Sequence, residues 1–323
     1  MKKEALRIVF MGTPEFAVTI LDKIVSDGYQ VVGCVTVPDK PAGRGQKIHE
    51  SAVKQYAVKN NLNVLQPEKL KSEDFIQELV NLHADIFVVV AFRMLPKVVW
   101  SMPKMGTFNL HGSLLPDYRG AAPINWAVIN GETETGVTTF FLNEEIDTGE
   151  IILQDRMTIG PNETAGEIHD RMMHLGANAV AQTLELLSSG TFTTRPQKTS
   201  ESIKSAPKLF RENSRIDFTK EGIAVHNFIR GLSPYPAAWT EIIHKESGNV
   251  KTLKIFNTTC EEQDLQFTSH FQREGKRLFL SLKGSRIEIH ELQVEGKRRM
   301  STKDFLLGFT IEEWKIQNTS KIR

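Results

Sequence analysis

The stretch that decides the fold is Leu-Arg-Ile-Val-Phe-Met-Gly-Thr-Pro-Glu-Phe, residues 6–16, an apolar run followed by a turn and a helix start. Thr13 can cap the helix, Pro14 suits its first position, and Glu15 complements the positive end of the helix dipole. The apolar residues that follow recur at helical spacing: Phe16, Ile20, Leu21 and Ile24. The stretch therefore predicts a strand, a tight turn and an amphipathic helix.

Continuous apolar runs recur farther along the first half of the chain, at residues 31–37 and 85–91. Strands that are apolar on both faces and separated by helical segments indicate a parallel sheet covered on both sides. Further strands are predicted at 107–111, 136–142 and 151–157, and further helices at 122–129 and 163–187. We therefore predict an α/β protein with a Rossmann-like doubly wound N-terminal domain. Its first turn is Gly-Thr-Pro rather than G-x-G-x-x-G, so a dinucleotide is not implied.

The composition changes at residues 188–207, where Ser, Thr, Gln, Lys and Pro dominate, as is typical of a linker. Beyond it a helix is predicted at 221–231, and short runs alternate apolar and polar residues at 239–243, 253–256, 278–282 and 287–294. This pattern favours a smaller, mostly β, OB-like barrel. We divide the chain into an N-terminal domain (1–189), a linker (190–207) and a C-terminal domain (208–323).

The composition is that of an ordinary soluble globular protein, with 323 residues, 40% hydrophobic and 24% charged, and a net charge of +1. No stretch reaches the roughly 18 uninterrupted apolar residues that a membrane span needs, and no signal-peptide core follows the N-terminus. A cytoplasmic location without membrane contact is therefore expected. Cys34 and Cys260 lie far apart, and the histidines lack metal-ligand spacing, so neither a disulfide nor a metal site is expected.

A second stretch contains the side chains best suited to chemistry. Residues 109–116 read Asn-Leu-His-Gly-Ser-Leu-Leu-Pro, and Ile-Asp-Thr-Gly follows at 146–149. In doubly wound sheets ligands gather beyond the carboxyl ends of the strands, and one predicted strand ends at His111. The Asn109 amide, the His111 imidazole and the Asp147 carboxylate can supply an oxyanion donor, a proton carrier and its orienting group. Together they suit acyl transfer, although each alone is also common as a structural or turn residue.

A basic loop follows the second predicted strand and reads Pro-Asp-Lys-Pro-Ala-Gly-Arg-Gly-Gln-Lys at residues 38–47. Its proline and glycine content argues against regular secondary structure. Lys40, Arg44 and Lys47 can order against a nucleic-acid backbone beside the ligand crevice. The alternative interpretation of this segment is a solvated surface loop.

Several motifs of the chain are shared with one known family. Besides the strings at 10–16, 38–45, 109–116 and 146–149, they are Tyr-Arg-Gly-Ala-Ala-Pro-Ile at 118–124, Ile-Asp-Phe at 216–218 and Pro-Tyr-Pro at 234–236. Over essentially its full length the chain thereby resembles the methionyl-tRNA formyltransferases. The Asn-x-His-Gly-Ser-Leu-Leu-Pro and Asp-Thr-Gly strings are common to several enzymes that use 10-formyltetrahydrofolate. The basic loop joined to a C-terminal barrel narrows the resemblance to this family.

The resemblance implies a reaction and its partners. The formyl group of 10-formyltetrahydrofolate, a substrate rather than a resident cofactor, would pass to the α-amino group of methionine on initiator tRNA. The product would be N-formylmethionyl-tRNA for translation initiation. The C-terminal domain would hold the tRNA backbone. From the residues alone, the basic run 297–299 (Lys-Arg-Arg) and the scattered Lys208, Arg211 and Arg215 form a candidate tRNA-facing surface, the alternative being a solvated charged face. No metal is implied, and we expect a monomer.

The resemblance also implies roles for individual residues. The catalytic residues would be Asn109, His111 and Asp147. The folate site would be lined by Ser113, Leu114, Leu115 and Pro116. The tRNA acceptor end would meet the basic loop at Lys40, Arg44 and Lys47. One departure from the family pattern is Ala-Phe-Arg-Met-Leu-Pro at 91–96, where Arg93 adds a positive charge, so the shape of the pterin pocket is left open.

Three other functions fit parts of the sequence. A formyltransferase acting on a small amine, such as an amino sugar nucleotide or a purine-pathway intermediate, would leave the Arg44 loop and the C-terminal domain without a task. A hydrolase that releases formate from the same folate would replace the amine by water. A tRNA-binding module on an inactive enzyme scaffold would not need Asn109, His111 and Asp147. Consumption of 10-formyltetrahydrofolate distinguishes the last from the others.

Overall fold

The computed structural model describes residues 3–42, 47–198, 202–268 and 270–317. By its contacts the chain divides into two compact units. The first comprises residues 1–123, 135–157 and 169–205, and the second comprises 124–134, 158–168 and 206–323. Residues 190–205, predicted as linker, thus group with the first unit, whereas two short segments of the predicted N-terminal domain group with the second. The domain boundaries proposed from the sequence stay a prediction.

Strands and helices alternate through the first part of the chain, as predicted. In chain order the elements are β1 (Arg7–Gly12), α1 (Glu15–Ser26), β2 (Gln30–Val35), β3 (Lys40–Ala42), β4 (Lys47–His49), α2 (Ala52–Lys59), β5 (Val64–Leu65), α3 (Glu73–Asn81), β6 (Ile86–Val90), α4 (Lys97–Trp100), β7 (Thr107–His111), β8 (Arg119–Gly120), α5 (Pro123–Ile129), β9 (Glu134–Phe141), β10 (Ile151–Thr158) and α6 (Ala165–Ser189). One sheet runs in the order β10-β9-β7-β6-β1-β2-β5. Its strands β7, β6, β1, β2 and β5 are parallel, and β9 is antiparallel to β7.

The continuous apolar runs form the buried centre of this sheet. In β1 every residue from Ile8 to Met11 is fully buried, which requires cover on both faces. Val9 and Met11 pack in a cluster with Phe75 and Leu79 of α3. The predicted apolar stripe of α1 is also buried, although the helix begins at Glu15 and Pro14 occupies the N-cap rather than the first helical position. Burying one such large side chain stabilises the fold by about 1.5–3 kcal/mol.

The sheet brings the end of β7 and the loop between β9 and β10 into one region. β7 ends at His111, as predicted. β9 pairs its last residue, Phe141, with Phe108 near the start of β7, so the following loop must fold back for Asp147 to approach His111. Gly149 makes this return feasible, because a Cβ atom there would lie 1.6 Å from the Phe141 carbonyl oxygen.

The second unit is built mainly from antiparallel strands. After β11 (Ser205–Ala206), which begins at the last residue of the first unit, the elements are α7 (Gly222–Gly231), β12 (Ala238–His244), β13 (Val250–Glu262), β14 (Gln272–Glu274), β15 (Arg277–Leu282), β16 (Ser285–Val294), β17 (Met300–Ser301), α8 (Thr302–Gly308) and β18 (Trp314–Ile316). The sheet runs β14-β15-β16-β13-β12-β18, with β17 paired to β16. A bridge between His270, just before β14, and Lys315 of β18 links the two edges of this curled sheet. The half-barrel agrees with the predicted OB-like architecture.

The basic loop is more regular than its composition predicts. Lys40–Ala42 and Lys47–His49 form a two-stranded antiparallel ribbon, so the expectation of irregular structure was wrong for these residues. An isolated ribbon tolerates Pro41 because no further strand needs its missing N–H group. Residues 43–46, including Arg44, lie outside the described residues. Among the described residues no helix combines the length and the hydropathy needed to cross a membrane.

Candidate active site

The end of β7 carries two of the predicted catalytic residues. Asn109 and His111 are two residues apart in an extended strand, so their side chains leave the same face of the sheet. Asn109 pairs with Phe140 of β9 and is half-buried, and His111 pairs with Thr138 and is 6% exposed. The strand therefore places both side chains on one face, where the imidazole is shielded from water and the amide remains partly accessible.

The hydrogen bonds of His111 assign different tasks to its two ring nitrogens. Nε2 lies 2.8 Å from the Tyr118 carbonyl oxygen. A carbonyl only accepts, so Nε2 carries the hydrogen and the neutral ring keeps its lone pair on Nδ1. Nδ1 lies 3.9 Å from Oδ2 of Asp147, close to the carboxylate but beyond the length of a direct hydrogen bond. Nδ1 is thus the nitrogen open to proton transfer.

Asp147 is held in an uncommon backbone conformation. Its φ angle is +54°, in the left-handed region that non-glycine residues seldom adopt. The Gly120 N–H group donates to Oδ2 over 3.0 Å, and the Gln197 side-chain amide donates to the main-chain oxygen of Asp147 over 2.9 Å. Residues in such conformations persist where surrounding contacts determine them, and they cluster at functional sites.

A cavity of about 470 Å³ adjoins the Asp147 loop. Its lining comprises Arg119, Asn143, Glu144, Glu145, Thr148 and Gln197. The Arg119 guanidinium donates to Gln197 Oε1 from Nε over 3.1 Å and from a terminal nitrogen over 2.5 Å. Lys97 bonds Glu144 over 2.5 Å and lowers the pKa of its carboxyl, which therefore stays ionised beside the cavity.

The predicted folate residues divide into two kinds. Ser113 is fully buried and its hydroxyl donates to the Asp117 carbonyl over 2.6 Å. Leu115 is buried in a cluster with Phe140 and Ile151. By contrast, Leu114 and Pro116 are only half-buried. The side chains of the first kind therefore support the loop from within, while those of the second kind retain surface for a ligand.

Arg93, which departs from the family pattern, is tied to a neighbouring loop. Its guanidinium donates to the carbonyl oxygens of Pro67 and Glu68 over 2.8 and 3.2 Å. Burial lowers its pKa, and its Nε atom has no hydrogen-bond partner within the described part of the chain. The preceding Ala91 adopts a φ of +47°. The positive charge is thus largely committed to backbone carbonyls.

The predicted tRNA contacts of the basic loop are only partly described. Lys40 is exposed at the start of β3, and Lys47 begins β4. Arg44 lies outside the described residues. Across the ranges that the structure describes, no group of three or more His, Cys, Asp or Glu side chains is arranged to hold a metal ion.

A groove of about 600 Å³ lies in the second unit, and we call it the C-terminal groove. The lining residues that matter here are basic or aromatic: Lys208, Phe210, Arg211, Tyr235, Trp239 and Lys254. Tyr235 is 82% exposed and Phe210 is 53% exposed. Lys208 lies over the Phe210 ring, and Arg211 over the Trp239 ring, at 5.4 and 5.3 Å. Arg215, also a candidate tRNA contact, is instead ion-paired with Glu241 at 2.8 Å.

Two parts of these sites were missed in the sequence. Gln197 lies in a segment whose composition indicated only a linker, and nothing local marks it as a site residue. The aromatic side chains Phe210 and Tyr235 are separated by 25 residues, so their shared groove has no sequence signature. For Tyr235 the Pro-Tyr-Pro motif was a usable signal of a binding residue. Prolines on both sides restrain the backbone that presents its exposed ring.

Comparison with known proteins places the chain among its relatives. The formyl transferase family profile matches residues 6–184, and the formyl transferase C-terminal domain profile matches residues 208–310. The methionyl-tRNA formyltransferase of Flavobacterium johnsoniae is 52% identical over 311 residues, which cover 96% of this chain and 98% of that protein. The enzyme of the same name from Bacteroides fragilis is 51% identical over 318 residues, 97% of this chain and 98% of its own.

Solved structures share the fold at lower identity. The N-formyltransferase of Helicobacter canadensis, in complex with folinic acid and dTDP-3-aminofucose, is 23% identical and covers 88% of this chain and 98% of its own, with a TM-score of 0.63. The sugar 3N-formyl transferase WlaRD is 22% identical, with coverages of 91% and 99% and a TM-score of 0.64. At such identity only the fold carries over. Both domain profiles and the half-identical relatives show that this chain belongs to the formyl transferase family, as one of the methionyl-tRNA formyltransferases.

Proposed function

We propose that the protein transfers the formyl group of 10-formyltetrahydrofolate to the α-amino group of methionine esterified to initiator tRNA. The observation that carries the proposal is the meeting of His111 Nδ1 and Asp147 Oδ2, 3.9 Å apart, beside Asn109 on the same strand face. The names of the half-identical relatives support the choice of acceptor.

The first step is attack of the amine on the formyl carbon. A free α-amino group titrates near pH 8, so a useful fraction is neutral and nucleophilic at pH 7. As the new C–N bond forms, the formyl oxygen becomes an oxyanion. The Asn109 side-chain amide donates a hydrogen bond to this oxygen, and its fixed position on β7 means that little reorganisation is needed.

The second step moves one proton from the acceptor to the donor. The attacking nitrogen gives its proton to His111 Nδ1, directly or through a bridging water, because Nε2 is already committed to Tyr118. The Asp147 carboxylate stabilises the imidazolium that results. The imidazolium then protonates N10 of the folate as the C–N10 bond breaks. The products are a formylated amine and tetrahydrofolate, and His111 returns to its neutral form.

We assign the folate-facing surface to the loop that follows His111. Leu114 and Pro116 retain exposed area for apolar contact, while Ser113 and Leu115 fix the loop's shape through buried contacts. Thr138 supports the same shape, since its hydroxyl donates to the Ser113 carbonyl over 2.7 Å and accepts from the Leu115 N–H over 3.1 Å.

We assign tRNA binding to the basic loop and to the C-terminal groove. Lys40, Arg44 and Lys47 can neutralise phosphates of the acceptor end. The exposed rings and cations of the C-terminal groove complement a nucleic-acid strand, because bases stack on aromatic side chains and phosphates pair with Lys and Arg. We further propose that the protein acts as a cytoplasmic monomer, and sedimentation at micromolar concentration tests the monomer.

Offering the protein several acceptors tests the function. 10-Formyltetrahydrofolate is mixed in parallel with charged initiator tRNA, with a dTDP-amino sugar, or with neither, and both folate consumption and the formylated product are followed. Rapid formation of N-formylmethionyl-tRNA, with slow consumption in the other two mixtures, is expected. Equal or faster consumption with the amino sugar, or with water alone, would contradict the proposed acceptor.

A loop variant tests the tRNA part of the proposal. Arg44→Ala is expected to weaken the use of charged initiator tRNA by roughly threefold to fivefold at constant folate affinity, since one exposed ion pair is worth up to about 1 kcal/mol. Lys71→Ala, which removes a cation outside both proposed tRNA surfaces, serves as the matched control. A loss of equal size in both variants would return the loop to a solvated surface segment.

A further inference from the structure

The segment that follows α6 returns along the loops of the active site. Ile151 and Arg195 exchange a pair of backbone hydrogen bonds of 2.9 and 3.0 Å. Nine residues later the Lys204 carbonyl accepts the Tyr118 N–H over 2.6 Å. Thr194 also donates to the Glu150 carboxylate over 2.5 Å. The segment predicted as a linker is therefore attached to both loops that surround His111.

Gln197 lies in this segment and uses its whole side-chain amide. Nε2 donates one hydrogen to the carbonyl oxygen of Asp147 and one to that of Gly149, each over 2.9 Å. Oε1 accepts two hydrogen bonds from the Arg119 guanidinium, at 3.1 and 2.5 Å. One amide thus links the loop that carries Asp147 to the residue that precedes Gly120.

These bonds act on the direction of the catalytic carboxylate. The hydrogen bond to the Asp147 carbonyl restrains the ψ angle of Asp147, whose φ angle is +54°. Gly120 meets the same residue from the other side, since its N–H donates to Oδ2 over 3.0 Å. Arg119 and Gly120 are consecutive, so the Gln197 amide and the Gly120 N–H together position Oδ2 relative to His111 Nδ1.

We propose that Gln197 is a positioning residue for formyl transfer, which holds the Asp147 loop so that the carboxylate faces His111 Nδ1. The inference rests on the proposed function, because it assigns Asp147 to proton transfer. Gln197 touches neither His111 nor a reacting atom and acts through the main chain of Asp147. Without its two donors, the main chain of the left-handed turn loses its bonds to Gln197, the Gly120 N–H alone still holds Oδ2, and the carboxylate samples other directions.

Two variants separate the hydrogen bonds that Gln197 donates from those that it accepts. Gln197→Glu keeps the size of the side chain and its acceptor for Arg119, but a carboxylate cannot donate to the carbonyls of Asp147 and Gly149. Gln197→Ala removes both the donated and the accepted hydrogen bonds. Each variant is expected to lower kcat by roughly tenfold to a hundredfold, since small misplacements of catalytic groups have effects of this size. Gln77→Ala, on the exposed face of α3, is the matched control and should equal the wild type.

Binding and folding measurements exclude a merely structural role. The affinity of each variant for 5-formyltetrahydrofolate, an unreactive isomer of the donor, should stay within about twofold of the wild type, so that the loss lies in kcat rather than KM. Thermal unfolding identifies a variant that is simply misfolded. If either folded variant retains kcat within about twofold of the wild type, the positioning role is overturned.

A double-mutant cycle tests whether Gln197 acts through Asp147. Gln197→Ala is made in the wild type and in Asp147→Asn, and single-turnover consumption of 10-formyltetrahydrofolate is measured with the best acceptor. The loss from Gln197→Ala should shrink at least several-fold in the Asp147→Asn background, because coupled residues are non-additive. An equal fold-loss in both backgrounds would overturn the proposal.

Measuring folate consumption tests the role of Gln197 whichever acceptor the protein uses. The cycle follows folate consumption, which can be measured with tRNA, another amine or water. If formyl appears on an acceptor other than tRNA, the proposed function fails while the cycle still gives its answer. If the wild type consumes no formyl-folate with any acceptor, both proposals fail.

Discussion

The active site and the C-terminal groove place polar chemistry in opposite settings. In the active site His111 is 6% exposed and each of its ring nitrogens faces a single defined group. In the groove, Tyr235 is 82% exposed and Phe210 is 53% exposed, with cations packed loosely over the rings. The active site holds a few side chains in place by specific hydrogen bonds, whereas the groove presents several exposed aromatic and basic side chains.

The difference follows from the dielectric around each region. Hydrogen bonds and charges act more strongly where water is excluded, so each donor in the active site carries much of the effect. Exposed cations are screened by salt and contribute modestly one at a time. Single substitutions should therefore have large effects in the active site and small, salt-dependent effects in the groove.

The largest expected effect comes from Asn109, the proposed oxyanion donor. Asn109→Ala should lower kcat by roughly a hundredfold to a thousandfold, because it removes a fixed donor to the developing oxyanion. Tyr235→Ala should leave kcat within about twofold when charged tRNA is saturating. Steady-state kinetics on both variants provides the comparison. A fall in kcat of less than tenfold for Asn109→Ala would contradict the larger effect expected in the active site than in the groove.

A glycine of the Asp147 loop allows the stability of the two regions to be compared. Gly149→Ala should destabilise the protein by about 3 kcal/mol or more, because the new Cβ would meet the Phe141 carbonyl at 1.6 Å. Gly308→Ala, whose Cβ would contact nothing within 4 Å, is the control in the second unit and should be near neutral. Urea unfolding measures both. Equal stability of the two variants contradicts the close approach seen at Gly149.

The groove should respond to salt rather than to a single substitution. Replacing Lys208 and Lys254 together by Ala should weaken tRNA binding about threefold to tenfold at low salt and flatten its salt dependence by roughly one to two phosphate contacts. Filter binding at several salt concentrations measures the slope, with kcat for bound tRNA as the internal control. An unchanged slope would argue that tRNA does not occupy the groove.

The smallest expected effect is a pH dependence of stability in the second unit. His226 donates from Nε2 to the Pro161 carbonyl over 3.1 Å and meets the Thr258 hydroxyl at 2.8 Å. Burial lowers its pKa below the ordinary value of 6.5, and the positive charge of Arg230 acts in the same direction. Below pH 6.5 the unfolded chain therefore binds a proton that the folded chain still refuses, so the free energy of unfolding falls as the pH is lowered.

Removing this histidine tests that dependence. His226→Gln should lower the stability by about 1 kcal/mol at pH 7.5, through the loss of well-matched hydrogen bonds, and should reduce the further loss between pH 7.5 and pH 5.5. Calorimetric melting temperatures at the two pH values measure the difference, with exposed His49→Gln as the control. The same decline in His226→Gln as in the wild type would exclude His226 as its source.

Much of the fold could be predicted because it depends on local patterns. The continuous apolar run of β1 and the helical spacing of α1 are properties of adjacent residues, and the structure confirms both. The strand ending at His111 was predicted for the same reason, and it also placed Asn109 on the same face. The recognisable strings around these residues supplied the catalytic assignment, which alternating polarity alone does not give.

The remaining features depend on contacts between distant segments. Gln197 meets Asp147 across 50 residues, and its surroundings in sequence resemble any polar linker. The tautomer of His111 is set by the Tyr118 carbonyl, a backbone atom that no side-chain pattern encodes. The β3–β4 ribbon was missed because proline and glycine were taken to exclude pairing, whereas a short isolated ribbon needs few backbone donors.

A label-transfer experiment tests the central claim most directly. Protein in excess is mixed with charged initiator tRNA and 10-formyltetrahydrofolate carrying a labelled formyl carbon, and the label on the methionine α-amino group is followed in a single turnover. The wild type should move the label to the amine in one fast phase, and Asp147→Asn should slow that phase by roughly a hundredfold or more. Label released as formate, or equal rates in the two proteins, would contradict formyl transfer driven by Asn109, His111 and Asp147.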